Sequence, residues 1–333
     1  MSITLIATGG TIASTLGADG RVTTTLGGDD LVASVAGSLP VLTHGVEVVD
    51  LSVPGSWNLT TGLAASVARV ARAALDSGTD GVVITHGTDV IEETAWLCEL
   101  LARDSTEAGG LVLTCSMRHA SELGYDGPRN ITDSLAVAAS PGARGRGAMV
   151  CANGELHHAR WVRKTHTTAL SAFASPDRGP IGTVGDEGVV FAFDPPAAPP
   201  DVPASVGVVG EVPIVTSHWD VDPDLIGWHL SRGAKGIVLD GGGAGNVNGL
   251  LVDGVMSAID AGVPVVGTSR CLRGQVAPIY GGNGGFASLA AVGVIPSHGL
   301  SAGKARVTLG VALGIDPDPG AVRSYFDSLG GAR

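Results

Sequence analysis

Ile3-Thr4-Leu5-Ile6-Ala7-Thr8-Gly9-Gly10-Thr11 begins with five residues of strand length and closes on a double-glycine turn ahead of a threonine. An uncharged run of this kind reads as a parallel strand buried on both faces, and open α/β sheets place their sites beyond the carboxyl ends of such strands. A second stretch has the same form, with Gly81 to Thr85 followed by His86-Gly87-Thr88-Asp89. The glycines let the backbone turn sharply and come close to a ligand. Two threonines delivered to two strand ends suggest a threonine-based hydrolase.

Working outward, runs of strand length alternate with helical patterns. Strands are expected near 3–7, 46–51, 81–85, 111–115 and 147–152, and helices near 60–76, 90–103 and 130–139. This alternation predicts a mostly parallel sheet with covering helices. In helix 60–76, Leu63, Val67, Val70 and Ala74 form the apolar stripe and Thr60 or Thr61 the cap. Prolines crowd residues 194–213, where a fixed φ and missing N–H donors exclude helix and central strand. The division is therefore a larger α/β domain over 1–193, a linker over 194–213 and a smaller α/β domain over 214–333. Within the last, strands are expected at 214–217, 236–240 and 264–268, with helices at 222–232, 249–261, 301–313 and 319–328.

Composition narrows the function. Apolar residues make up 44% of the 333 and charged ones only 16%, which excludes a disordered chain. No apolar stretch approaches the roughly 20 residues needed to cross a bilayer. A net charge of −12, with basic residues scattered, argues against nucleic acid as a partner. The amino-terminal residues carry no basic segment ahead of an apolar one, so a cytoplasmic location is expected. Four cysteines without C-x-x-C spacing indicate neither a zinc site nor a redox pair; Cys98, Cys115 and Cys151 read as core residues. The glycine clusters at 241–245 and 281–285 lack the Lys-Ser/Thr that completes a phosphate loop, and tight turns account for them.

Thr11 taken alone could equally close a turn. It begins a glycine- and threonine-rich stretch to Gly28 whose composition fits a mobile loop over a substrate. A threonine hydroxyl must be activated to attack. Thr88 beside Asp89 can orient a lysine, and Lys164, one of three in the chain, is the candidate base. His86, ending a buried strand, is assigned a structural role. Ser56 lies in a loop after a strand, where it either starts a helix or holds a substrate carboxylate. Asn246 and Asn248 either bind a polar group or stabilise their turn.

Taken together these segments resemble the bacterial-type L-asparaginase family, also called asparaginase/glutaminase. Residues 6–13 look like its first active-site signature and residues 81–95 like its second, with further similarity at Gly55-Ser56, at Ser116-Met117-Arg118, at Asp126 to Asn130, at Lys164-Thr165 and at Gly245-Asn246. The resemblance implies a two-domain asparaginase-like fold and hydrolysis of L-asparagine to aspartate and ammonia, with L-glutamine as a second amide. It makes Thr11 the nucleophile and Thr88, Asp89 and Lys164 a second catalytic group. Gly55, Ser56, Trp57, Gly87 and Ser116 would bind substrate, and Asn248 would contribute across a subunit interface of a homodimer or homotetramer. No metal or cofactor is implied. Other classes compatible with the residues are an amino-acid-binding sensor of the same fold and the amidase subunit of a tRNA-dependent amidotransferase. Several features depart from the resemblance. No tyrosine occurs between Thr11 and Tyr125, Arg21 and Val22 standing nearest to the family's loop tyrosine, and Gln275 to Gly285 lacks the acidic residue a neighbouring subunit supplies. Trp57 also stands where many members have glutamine.

Overall fold

The uncharged runs at Ile3 and Gly81 form neighbouring strands. In the computed structural model, which describes residues 1–37, 45–51, 53 and 55–330, the chain divides into two compact units, Met1–Asp201 and Val202–Arg333. The first unit runs β1 (Ile3–Ala7), β2 (Ser14–Leu16), β3 (Val22–Thr24), α1 (Gly28–Ala33), β4 (Val46–Asp50), α2 (Thr61–Asp76), β5 (Gly81–Thr85), α3 (Ile91–Ala102), β6 (Gly110–Thr114) and α4 (Gly127–Ala139). Six strands follow: β7 (Ala148–Ala152), β8 (Glu155–His158), β9 (Arg163–Lys164), β10 (Phe173–Ala174), β11 (Gly182–Gly185) and β12 (Gly188–Phe191). Its main sheet is ordered β12-β11-β8-β7-β6-β5-β1-β4. The stretch from β7 to β4 is parallel, and β8, β11 and β12 extend it in antiparallel fashion. The sheet is thus mixed, because the edge beyond β7 grows by hairpin turns rather than helical crossovers.

Every residue of β1, β5, β6 and β7 is buried, which explains why these strands show no alternation. Leu5, Val83, Val112 and Met149 share one core cluster with Ile131 and Leu135 of α4. The face of α2 differs from the expected stripe. Ala65, Val67, Ala68, Ala71 and Leu75 are buried, whereas Leu63 is 42% exposed. Small alanines let the helix lie close to its neighbours, a preference that a stripe of the largest apolar residues misses. Thr60 is its cap, accepting from Leu63 N. Residues 11–28, expected as a loop, hold the β2–β3 hairpin and the start of α1; Thr15 and Thr25 join by their hydroxyls at 2.8 Å.

The second unit contains β13 (Ile214–Thr216), α5 (Leu225–Ser231), β14 (Ile237–Gly241), α6 (Val252–Asp260), β15 (Val265–Ser269), α7 (Phe286–Val292), β16 (Ile295–Pro296), α8 (Ala302–Ile315) and α9 (Pro319–Gly330). Its four strands are parallel in sequence order. The part of the proline-rich stretch from Val202 to Pro213 lacks helix and strand yet is packed. Val202, Val206 and Val212 are buried, Val209 N donates to Gly310 O, and Arg306 Nε donates to Val212 O. Helix α7, unforeseen among flanking glycines, buries Phe286 and Leu289. Cys98, Cys115 and Cys151 are buried and Cys271 is exposed. Among the described residues no helix is long and apolar enough to cross a membrane.

One buried charge makes stability depend on pH. Glu99, 1% exposed on α3, accepts from Ala148 N at 2.7 Å and lies 3.3 Å from Arg103 Nε and 3.6 Å from His158 Nε2. Burial pushes its carboxyl up to about 7, against the opposing pull of Arg103, the Ala148 N–H and Arg160. Between about pH 4.5 and 7 the folded chain keeps a proton there that the unfolded chain releases. Stability therefore falls as pH rises through that interval, by about 3 kcal/mol from this group. Urea melts of the parent and Glu99→Gln at pH 5 and pH 8 are expected to show that decline in the parent alone. His86, whose pKa burial lowers, contributes with the opposite sign but cancels in the comparison. A difference between the two proteins that does not change with pH would contradict the assignment.

Candidate active site

Register brings the two threonine turns together. β1 pairs with β5, with Ala7 opposite Thr85, so Thr8 to Thr11 and His86 to Asp89 leave adjacent strands at the same height. Thr8 donates to Thr85 O through both its N–H, at 3.1 Å, and its hydroxyl, at 2.8 Å. His86 N donates to Thr114 O of the next strand at 2.8 Å. Gly10, at φ 89°, packs so closely that a Cβ there would fall 2.4 Å from Gly87 Cα. A Cβ on Gly87 would fall 2.5 Å from Ser56 Oγ. The first two turns meet backbone to backbone and the Ser56 side chain packs against Gly87, close approaches that only glycine allows at positions 10 and 87.

These turns surround a cavity of about 520 Å³ lined by Thr11, Gly55, Ser56, Trp57, Gly87, Thr88 and Asp89, all expected site residues, together with Ser14 and Val22. Val22 comes from β3 and Trp57, 73% exposed, from the turn after β4. Gly55, at φ 58°, lies under the Trp57 ring, where a Cβ would clash at 2.6 Å. Lys164 reaches the group from β9. Its Nζ lies 2.8 Å from Thr88 Oγ1 and 2.8 Å from Asp89 Oδ1. Asp89 N donates to Ser56 Oγ at 3.4 Å, linking this cluster to the Ser56 turn. The cavity thus receives a hydroxyl from one strand end and a hydroxyl and a carboxylate from its neighbour, both of the latter bonded to the Lys164 ammonium from β9.

The supporting contacts were not visible in the sequence. Glu92, in the first turn of α3, accepts from Lys164 N at 2.7 Å and pairs with Arg163 Nε at 3.2 Å, which fixes β9 beside Thr88. No pattern in the chain connects residues 72 apart in this way. Ser14 Oγ donates to Gly10 O at 2.7 Å and braces the turn before Thr11. His86 donates through Nδ1 to Gly87 O at 2.7 Å, and burial lowers its pKa, so a neutral ring secures the glycine turn from beneath.

Ser116 and Asn248 are the remaining expected binding residues. Ser116 is fully buried, its hydroxyl donates to Arg118 O at 2.7 Å, and it does not form part of the cavity wall. Asn248 belongs to the second unit, where it lines a separate cleft with His218 and Arg270 and its Oδ1 accepts from Leu250 N. Asn246 Oδ1 accepts from Phe286 N. Both asparagines hold the turn around the glycine cluster. Among the described residues no group of His, Cys, Asp or Glu is arranged to hold a metal ion.

The chain is thus a two-unit α/β protein whose first sheet presents a threonine turn beside a Thr-Asp-Lys cluster, with a smaller parallel α/β unit after it. Comparison with known proteins narrows this. Residues 2–197 match the family described as "Asparaginase, N-terminal", and residues 211–326 match "Glutaminase/Asparaginase C-terminal domain". The chain is 35% identical to a probable L-asparaginase of Deinococcus radiodurans, over 97% of this chain and 96% of that one. It is 32% identical to L-asparaginase 2 of Bacillus subtilis, over 98% of this chain and 86% of the relative. The crystal structure of a probable cytoplasmic L-asparaginase from Campylobacter jejuni superposes with a TM-score of 0.83 at 31% identity, covering 98% of each chain. The chain belongs to the asparaginase family.

Proposed function

We propose that the chain hydrolyses L-asparagine to aspartate and ammonia through an ester on Thr11. The observation that carries this is that Lys164 Nζ lies 2.8 Å from Thr88 Oγ1 and 2.8 Å from Asp89 Oδ1, two residues that line the same cavity as Thr11. Thr11 Oγ attacks the side-chain amide carbon, and its proton passes through the Thr88-Lys164 group to the departing nitrogen, which leaves as ammonia. Water, activated by the same group, then cleaves the ester and frees both aspartate and the Thr11 hydroxyl. Ser56 and Asp89 hold the α-carboxylate and α-amino groups, and backbone N–H groups of the stacked turns face the developing oxyanion.

A homo-oligomer in which Asn248 contributes to a neighbour's site follows from the family resemblance. A cytoplasmic location is supported by three buried free cysteines, which suit a reducing compartment. The test of the chemistry is direct. Incubation with asparagine should release ammonia and aspartate in equal amounts, with glutamine turned over more slowly. Acid quenching during turnover should trap an aspartyl ester on the peptide containing Thr11. Asparagine binding without ammonia release would instead make the chain an amino-acid sensor.

A further inference from the structure

The segment between β6 and α4 forms a closed set of bonds behind the cavity. Asp126 accepts from the N–H groups of Met117 and Arg118 and from Asn130 Nδ2, each at 3.0 Å. Asn130 also donates to Cys115 O at 2.9 Å and accepts from Asn153 N at 3.0 Å. With Asn130 and Ser116 buried, the segment is anchored to the sheet. From this frame three bonds cross to the residues that follow Thr11. Ala120 N donates to Ser14 O at 2.9 Å, Ser121 Oγ accepts from Leu16 N at 3.1 Å, and the Tyr125 hydroxyl donates to Ile12 O.

We propose that Tyr125 is a positioning residue for the reaction, holding the carbonyl of Ile12 so that the turn presenting Thr11 keeps one orientation toward the substrate. The inference rests on the asparaginase assignment of the same cavity. Ile12 follows Thr11 directly, so a bond on its carbonyl limits rotation of the backbone that carries the nucleophile, and small misplacements of a nucleophile cost rate steeply. Ser14 Oγ fixes Gly10 O on the other side of Thr11 at 2.7 Å, so the carbonyls on both flanks of that residue are tied. The Tyr125 ring lies over Gly127, where a Cβ would fall 2.2 Å from its Cζ. That contact leaves the ring a bed which any other residue at 127 would fill. Burial and the neighbouring Asp126 push the phenol up to about 12, so the hydroxyl stays a donor at neutral pH. The aromatic hydroxyl that serves the Thr11 segment thus comes from 113 residues further along the chain rather than from the hairpin itself.

Tyr125→Phe keeps the ring on Gly127 and removes only the hydroxyl. It is expected to lower kcat for asparagine about tenfold with KM within about twofold, and to speed amide hydrogen exchange over Ile12 to Leu16. Ser121→Ala removes a bond of the same frame at the far end of the hairpin and is expected to keep kcat within about twofold. A kcat for Tyr125→Phe equal to that of the parent, or a loss matched by Ser121→Ala, would overturn the proposal. If the parent itself releases no ammonia, the asparaginase assignment fails, and exchange still decides the role of Tyr125: unchanged exchange over Ile12 to Leu16 in Tyr125→Phe removes it, and faster exchange retains it.

Discussion

Replacing Thr11 with alanine is expected to lower asparagine turnover about 10,000-fold or more, to the level left when a covalent nucleophile is removed and only binding groups remain. Other hydroxyls face the same cavity, so the size of the loss depends on whether any can substitute. Ser14 Oγ is engaged with Gly10 O and Ser56 Oγ accepts from Asp89 N. Thr88 is the real competitor, because Lys164 Nζ stands 2.8 Å from its oxygen. Were Thr88 the residue that bonds to the acyl group, Thr11→Ala would still trap an aspartyl ester on acid quenching. The expected result is no ester in Thr11→Ala. Thr11→Ser, which restores a hydroxyl on the same turn, should recover both ester and measurable turnover. Folding is not expected to suffer, since Thr11 is only half-buried and its neighbours Gly10 and Ser14 hold the turn.

Lys164→Met is expected to lower kcat about 1,000-fold while changing stability by less than about 1 kcal/mol. Methionine spans a similar length but cannot accept or deliver a proton, so Thr88 loses its partner and Asp89 its counter-charge. The contrast between activity and stability follows from exposure. The Asp89 side chain is 48% exposed, so water solvates the carboxylate once the ammonium is gone, and the loss of such a pair costs little folding energy although the Lys164 side chain is only 19% exposed. The backbone bond from Lys164 N to Glu92 remains and keeps β9 in place. Steady-state kinetics with asparagine beside thermal melts of both proteins supply the check. A kcat within tenfold of the parent would remove Lys164 from the proton path.

Much of the site was legible because its chemistry is local to two strand ends. Thr8 to Thr11 and His86 to Asp89 each combine an uncharged run with a glycine turn, a pattern set by burial on both faces and by the need for close backbone approach. The supporting residues were not legible for the opposite reason. Tyr125 and Ser14 act through bonds to backbone atoms, as Glu92 does toward Lys164 N, and any residue supplies those, so no pattern of types marks these partners. The hairpin β2–β3 escaped because its strands are short and exposed, with burial too slight to impose alternation. In α2 the alanines, rather than the larger Leu63, face inward, because distance to the neighbouring elements decides which side chains fit.

By itself, then, the sequence determined that strands end at Ala7 and Thr85 and that the threonines after them emerge where an α/β sheet places its ligands. Whether those threonines meet was decided only in three dimensions. Pairing of β1 with β5 in register sets Ala7 against Thr85, and the missing Cβ atoms of Gly10 and Gly87 let the two turns touch. Lys164 enters from a strand 75 positions beyond Asp89, carried there by the Glu92 carboxylate. Local runs of residues dictate which segments are strands, since burial and backbone geometry act over a few positions. Which strand ends become neighbours depends on non-local packing, and the Thr-Asp-Lys cluster exists only once that packing is complete.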